Sequence, residues 1–164
     1  MRVLRHLFAL PGAVARAFPG GAMSAIENAI RESEKLHDGE IRFAVEAALH
    51  PAQLWRGVSA RARAIEIFAE LGVWDTERNN GVLIYLLLAE HAIEIVADRG
   101  LNRVVAPAEW AEIAASMQSA FQAGDFEAGL LRAVDAVDAL LVRHFAARPG
   151  DVDVNELPDA PLFR

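Results

Sequence analysis

Residues 74–100 read WDTERNNGVLIYLLLAEHAIEIVADRG. The stretch GVLIYLLL, 81–88, is apolar almost throughout and rich in strand formers. It is too short for a buried helix and has the length of a central strand. AIEIVA, 92–97, is a second short strand that follows Glu90-His91 and folds back as a hairpin. Neither Glu90 nor His91 suits a tight primed turn, so the connection is expected to be longer. Both ends of this oily hairpin are polar. In an antiparallel pair the entry of one strand lies beside the exit of the next, so Asp75, Glu77, Asn79 and Asn80 should meet Asp98 and Arg99 at one rim.

Working outward, EIRFAVEAAL sets Ile41, Phe43 and Val45 against Arg42 and Glu46, a strand pattern that stops at His50-Pro51. A helix from Ser59 to Leu71, with Ile65, Phe68 and Ala69 inward, then leads to the hairpin. Two strands joined through a helix run parallel with a right-handed crossover, which starts Asp38 and Glu40 at the same rim. Before the first strand, MSAIENAIRESEKLH, 23–37, spaces Ile26, Ile30 and Leu36 as a helix capped by Ser24 and stopped at Asp38-Gly39. After the hairpin, PAEWAEIAASMQSAFQ opens on Pro107 and repeats apolar residues at helical spacing. A last helix carries Phe126, Leu130, Val134, Val137, Leu141 and Phe145 on one stripe.

These elements predict one α/β domain: a small mixed sheet, with strands near 40–48, 82–88 and 92–97, sandwiched by helices. The domain spans 23–146. Residues 1–22 fit either an amphipathic helix, with Val3, Leu4, Leu7, Leu10 and Val14 on one side, or a weak signal-like segment. In the second reading, Pro11 breaks the apolar run and Arg16 interrupts the cleavage region. Residues 147–164 form a polar, proline-bearing tail expected to be irregular.

Composition narrows the function classes. A chain of 164 residues with 54% hydrophobic and 24% charged residues is globular and large enough for a real core. Its net charge of −7 argues against nucleic acid as a partner, because neutralising phosphates requires a basic face. There is no Cys, which excludes disulfides, thiolate metal sites and cysteine nucleophiles. No apolar run reaches the roughly 20 residues of a membrane-spanning helix. His6, His37, His50, His91 and His144 lack paired metal spacing and read as surface or helix-end residues. No G-x-S-x-G, P-loop or G-x-G-x-x-G is present.

The rim residues admit two roles. Asp75-Thr76 and Asn79-Asn80-Gly81 can simply build turns, with Arg99 pairing on the surface. Alternatively, Asp75, Glu77, Asn80 and Asp98, flanked by Asn79 and Arg99, offer the hard oxygens that suit Ca2+ or Mg2+. Glu94 does not join them, since four strand residues separate it from Asp98 by about 13 Å. The opposite rim, where open parallel sheets usually bind ligands, holds His50, Gln53, Trp55, Arg56, Glu90 and His91. Trp55 and Arg56 could hold an anion or a planar ligand there, or Trp55 could pack on the crossover helix.

Three stretches carry a family resemblance: Asn79-Asn80-Gly81-Val82-Leu83, GEIRFAVE at 39–46, and FQAGDFEAGLLRAVDAVDALL at 121–141. Together they resemble the TPM domain over about residues 24–146. The resemblance implies an α/β sandwich, often extracytoplasmic, with calcium binding and acid phosphatase activity in some members. This chain has Asn79 where many members carry Asp, and Asp98-Arg99-Gly100-Leu101-Asn102 where they often show Gly-x-Gly-Leu-Glu. It looks like a short, soluble branch. The expected function is a binding or accessory domain for membrane or envelope maintenance, with an unidentified protein partner at or away from the membrane; the alternative is a metal-assisted acid phosphatase. Cytoplasmic placement is expected, with export or peripheral membrane attachment as alternatives.

Overall fold

The computed structural model describes residues 2–7, 12–147 and 156–164. Its sheet holds β1 (Glu40–Glu46), β2 (Gly81–Leu87), β3 (Ala92–Ala97) and β4 (Leu162–Phe163), in the order β3-β2-β1-β4. β1 and β2 are parallel, with Glu40 opposite Gly81 and Glu46 opposite Leu87. β2 and β3 are antiparallel, with Val82 opposite Ala97 and Leu87 opposite Ala92. The hairpin closes through a short 3-10 turn at Leu88–Glu90 and a left-handed His91, φ 51°. This is the longer connection that Glu90-His91 called for.

Helices cover both faces. On one, Ile41, Phe43, Val45, Val82, Ile84 and Leu86 pack against α3 (Gly20–Ser33), α7 (Pro107–Gln122) and α8 (Phe126–Phe145). On the other, Ala44, Leu83, Tyr85, Leu87 and Val96 meet Ala64, Ile67 and Phe68 of the crossover helix α5 (Ala60–Glu70), which Ser59 caps at the Ala62 amide. Short helices α1 (Arg2–Leu7), α2 (Ala13–Ala17), α4 (Pro51–Trp55) and α6 (Arg99–Asn102) fill the ends. Among the described residues no helix is long and apolar enough to cross a membrane.

Several expectations change. Alternation sets Arg42 and Glu46 on the face opposite Ile41, Phe43 and Val45, yet both are buried, because α5 and the tail close over that face. Glu46 survives there by pairing. Arg63 donates to both its oxygens, at 2.7 and 2.9 Å, and the Tyr85 hydroxyl donates at 2.7 Å. The α5 rotation that turns Arg63 onto Glu46 turns Ile65 and Ala69 outward, since two residues along a helix is roughly half a turn. α3 starts at Gly20 behind Pro19 and leaves Ser24 inside it. It ends at Ser33, so Leu36 is exposed in a turn held to the end of α8, with Asp38 N donating to Phe145 O at 2.9 Å.

The N-terminal segment forms two helices rather than one. Val3, Leu4 and Leu7 are exposed, and Leu10 lies outside the described residues. The tail is irregular from 156 to 161, but Leu162–Phe163 adds the fourth strand beside β1. Arg164 N donates to Val45 O and Ala47 N to Arg164 O.

Candidate functional site

The polar rim forms at the amino end of the parallel strands. Glu40 pairs with Gly81, and Asp98 N donates to Gly81 O at 2.9 Å, so these three residues make one row across the sheet. Gly81 is required by close approach: a Cβ there would lie 2.1 Å from Val73 O, where the loop before β2 crosses its own strand. Gly100 serves likewise, since a Cβ would lie 2.4 Å from Asn79 O, to which its own amide donates at 2.9 Å. The loop is thereby folded back on both strand ends.

Thr76 is buried, and its hydroxyl oxygen accepts the Asn80 amide at 3.1 Å. Asn80 is fully buried and its Nδ2 donates to Asp38 O at 2.8 Å, but among the described residues no group donates to its Oδ1. Asp98 is 9% exposed. Its Oδ1 accepts the Arg99 amide at 2.6 Å, capping α6, while its Oδ2 has no donor among the described residues. Buried oxygens usually find donors, because losing water without replacement costs roughly 1–3 kcal/mol. Two such oxygens, one beside Gly81 in sequence and one across the ladder from it, are what a hard cation would satisfy.

The remaining rim residues hold the frame. Asn79 adopts φ 53° and accepts Arg99 Nε at 2.6 Å. Arg78 pairs with Asp38 and lies over the Phe145 ring, 5.2 Å from its centroid. The tail crosses the rim: Glu156 N donates to Glu40 Oε1 at 2.8 Å, and the Glu156 carboxylate accepts the Glu77 amide at 3.1 Å. Asn79, Asn80, Asp98 and Arg99 are therefore brought together, with Asp38 and Glu40. The side chains of Asp75 and Glu77 are exposed and accept no hydrogen bond among the described residues. Nor do three His, Asp or Glu side chains converge there to hold a metal. An ion at this rim would rely on the Asn80 amide as well as carboxylate oxygens.

Thr76, Glu156 and the Val73 carbonyl were not foreseen. Thr76 looks like any turn residue, backbone carbonyls leave no sequence signal, and Glu156 reaches the rim from a tail without periodicity.

Beside the rim, two buried groups have altered protonation. Burial pushes the Glu34 carboxyl up to about 8, against the amide of Ile41, which donates to it at 3.0 Å. His37 is buried, not superficial, and accepts Gly39 N on Nδ1 at 3.1 Å. Its Nε2 faces Asp138 at 3.3 Å without hydrogen-bond alignment. Burial holds the His37 imidazole below its usual range and the Asp138 carboxyl above its own.

The carboxyl rim differs. Glu90 accepts from Arg2 at 2.6 Å and pairs with His6 at 2.8 Å, so the seat expected for a ligand is taken by α1. His50 caps α4: its Nδ1 accepts Ala52 N, and its own amide donates to Gln53 Oε1. Trp55 does not pack on α5; Leu54 takes the inward place on α4, and Trp55 points to solvent. A cavity of about 240 Å³ opens nearby, lined by Arg16, Leu86, Leu88, His91, Phe121 and Phe126.

The family model of the TPM domain matches residues 15–140. A solution structure of the BA42 protein from the psychrophilic bacterium Bizionia argentinensis is similar at 28% identity and TM-score 0.78, covering 90% of this chain and 95% of that one. The N-terminal domain of a P. gingivalis protein superposes at TM-score 0.57 with 16% identity, over 79% of this chain and 82% of its own, a likeness of fold alone. A search of curated proteins gives no match.

Proposed function

The chain belongs to the TPM domain family, and from that premise we propose that it is a binding domain that takes a divalent cation at the amino rim of its sheet. The observation that carries this reading is the pair of buried, donorless oxygens, Asn80 Oδ1 and Asp98 Oδ2. Asp98 supplies charge and Asn80 a neutral oxygen, a hard donor set suited to Ca2+ before Mg2+, which demands a more rigid octahedron. The exposed Asp75 and Glu77 add negative potential at the mouth. In this role the domain is an accessory module, the cation fixing the loop that joins Val73 to Gly81. The fold and the family support the module; the ligand assignment rests on the two oxygens.

Calorimetric titration of the chelator-treated chain with CaCl2 tests it. Binding with Ca2+ tighter than Mg2+ is expected, and Asp98→Asn, which keeps the α6 cap acceptor, should weaken it at least about ten-fold. A folded chain that shows no heat or stabilisation up to millimolar calcium sinks the proposal.

The phosphatase alternative would need a nucleophile or a base at the rim. The rim hydroxyl of Thr76 is buried and engaged with Asn80, which favours the non-enzymatic reading. Phosphomonoester turnover with calcium or magnesium, compared in Asp75→Ala and Asp98→Ala, separates the two. Turnover unchanged by either substitution removes this rim from any enzymatic role.

A further inference from the structure

The opposite end of the sheet carries the opposite chemistry. α1 is fastened there along α4 by polar contacts: His6 Nδ1 accepts Leu49 N at 3.0 Å, just before α4, and the Arg2 guanidinium reaches Val58 O, just after it. Both also hold Glu90. A surface helix normally turns its apolar side to the core and its polar side to water. α1 does the reverse. His6 is buried, whereas Val3, Leu4 and Leu7 are 48%, 54% and 63% exposed. At the last residue of α4, Trp55 is 91% exposed. Arg5 and Arg56 stand among them, exposed and with no ion pair among the described residues. Yet the chain as a whole carries −7, and the far rim collects Asp75, Glu77, Asp98 and Glu156.

We propose that this end docks on an anionic lipid bilayer, with Leu4, Leu7 and Trp55 entering at headgroup depth and Arg5 and Arg56 on lipid phosphates. Trp is the side chain that best suits the boundary between water and acyl chains, with an apolar body and a polar N–H. Aliphatic insertion and arginine attraction are two weak signals, each reversible alone and sufficient together. The acidic rim, repelled by the same surface, sets the orientation. A bilayer fits better than a protein partner. The apolar side chains project singly from two short helices; a fluid closes around separate tips, whereas a protein interface needs a contiguous packed patch.

The test uses the full chain and sedimentation with phosphatidylglycerol–phosphatidylcholine vesicles, in chelator so that cation binding plays no part. Partition to these vesicles and not to phosphatidylcholine alone is expected, declining with salt. Leu4→Asp with Leu7→Asp should reduce it at least ten-fold, and Arg5→Gln or Arg56→Gln about five-fold each. Trp74, exposed before β2 at the other rim, is the internal control. Brominated lipids should quench the Trp74→Phe variant and spare Trp55→Phe. No partition, partition indifferent to the leucine substitutions, or quenching that survives in Trp55→Phe overturns the proposal. Self-association or partner capture through Leu4 and Leu7 without vesicle binding would assign the surface to protein instead.

Discussion

Glu34 leaves the end of α3 pointing inward, where the Ile41 amide donates to it and Glu40 and Asp159 lie close. Burial raises its carboxyl from 4.5 to about 8. In the unfolded chain it ionises near the lower value, so its contribution is fully present below pH 4.5 and is lost as pH rises through about 8. Glu34→Gln keeps the acceptor for Ile41 and cannot ionise. It should leave stability unchanged near pH 4 and raise it by on the order of 3 kcal/mol above pH 8, read by denaturant melts across pH. Arg63 is the converse case, a buried cation held by Glu46, Glu66 and Glu70. Hydrogen bonding to Glu46 outweighs burial and holds the guanidinium charged. Arg63→Met strands Glu46 and should cost about 3–5 kcal/mol, whereas Arg63→Met with Glu46→Leu should recover most of it. A double variant no more stable than the single one would refute this account of the pair. Neither group was legible. Glu34 looked like any polar residue near a helix end, and Glu46 occupied the solvent place of an alternating strand, because a sequence does not reveal when a later element will cover that face.

β1, β2 and β3 were readable because each satisfies a local rule: alternation in 41–45, an unbroken apolar run in 82–87, and a return within hairpin distance. α7 and α8 were readable from their stripes. β4 was not, since two residues carry no period and their pairing spans the chain, from Leu162 to Ala44. Its role is to cover the open edge of β1, where Arg164 N donates to Val45 O, Ala47 N donates to Arg164 O, and Phe163 sets its ring edge-on to Phe43 at 6.3 Å. Removing 161–164 should cost about 2 kcal/mol for the lost hydrogen bonds and expose a pairing edge, so the shortened chain should also self-associate in sedimentation velocity. Unchanged stability and a monomer would show the strand to be dispensable. The entry to β2 makes a second element-scale prediction. Gly81→Ala drives a Cβ into the backbone oxygen of Val73, which cannot swing aside as a side chain would. A loss of about 3 kcal/mol or more is expected, together with weaker calcium binding because the loop must lift. Wild-type stability in that variant would mean that the loop does not cross its strand as described.

Over the whole molecule, chain direction gathers the acids. A parallel pair followed by a hairpin necessarily brings the starts of β1 and β2 beside the exit of β3, which is why Asn79, Asn80, Asp98 and Arg99 could be placed together from residue order alone. Which oxygens would be left without donors could not, since that depends on the positions of Thr76, Arg99 and Glu156 in the folded loop. The same gathering puts Asp38, Glu40, Asp75, Glu77, Asp98 and Glu156 at one end of a chain of net charge −7, so folding works against self-repulsion there. Two effects of calcium must then be separated. Screening by any salt relieves repulsion generally and saturates as the Debye length shrinks to about 10 Å near 0.1 M. Site binding adds a term that grows with the ratio of free ion to dissociation constant, about 2.7 kcal/mol at a hundred-fold excess. For a domain of this size that corresponds to a rise in Tm of roughly 5–10 °C. Sodium chloride should therefore raise Tm modestly in wild type and in Asp98→Asn alike. Calcium added at a fixed 0.1 M sodium chloride should raise Tm further in wild type alone. Equal calcium shifts in the two proteins would reduce the rim to a diffuse patch of negative charge.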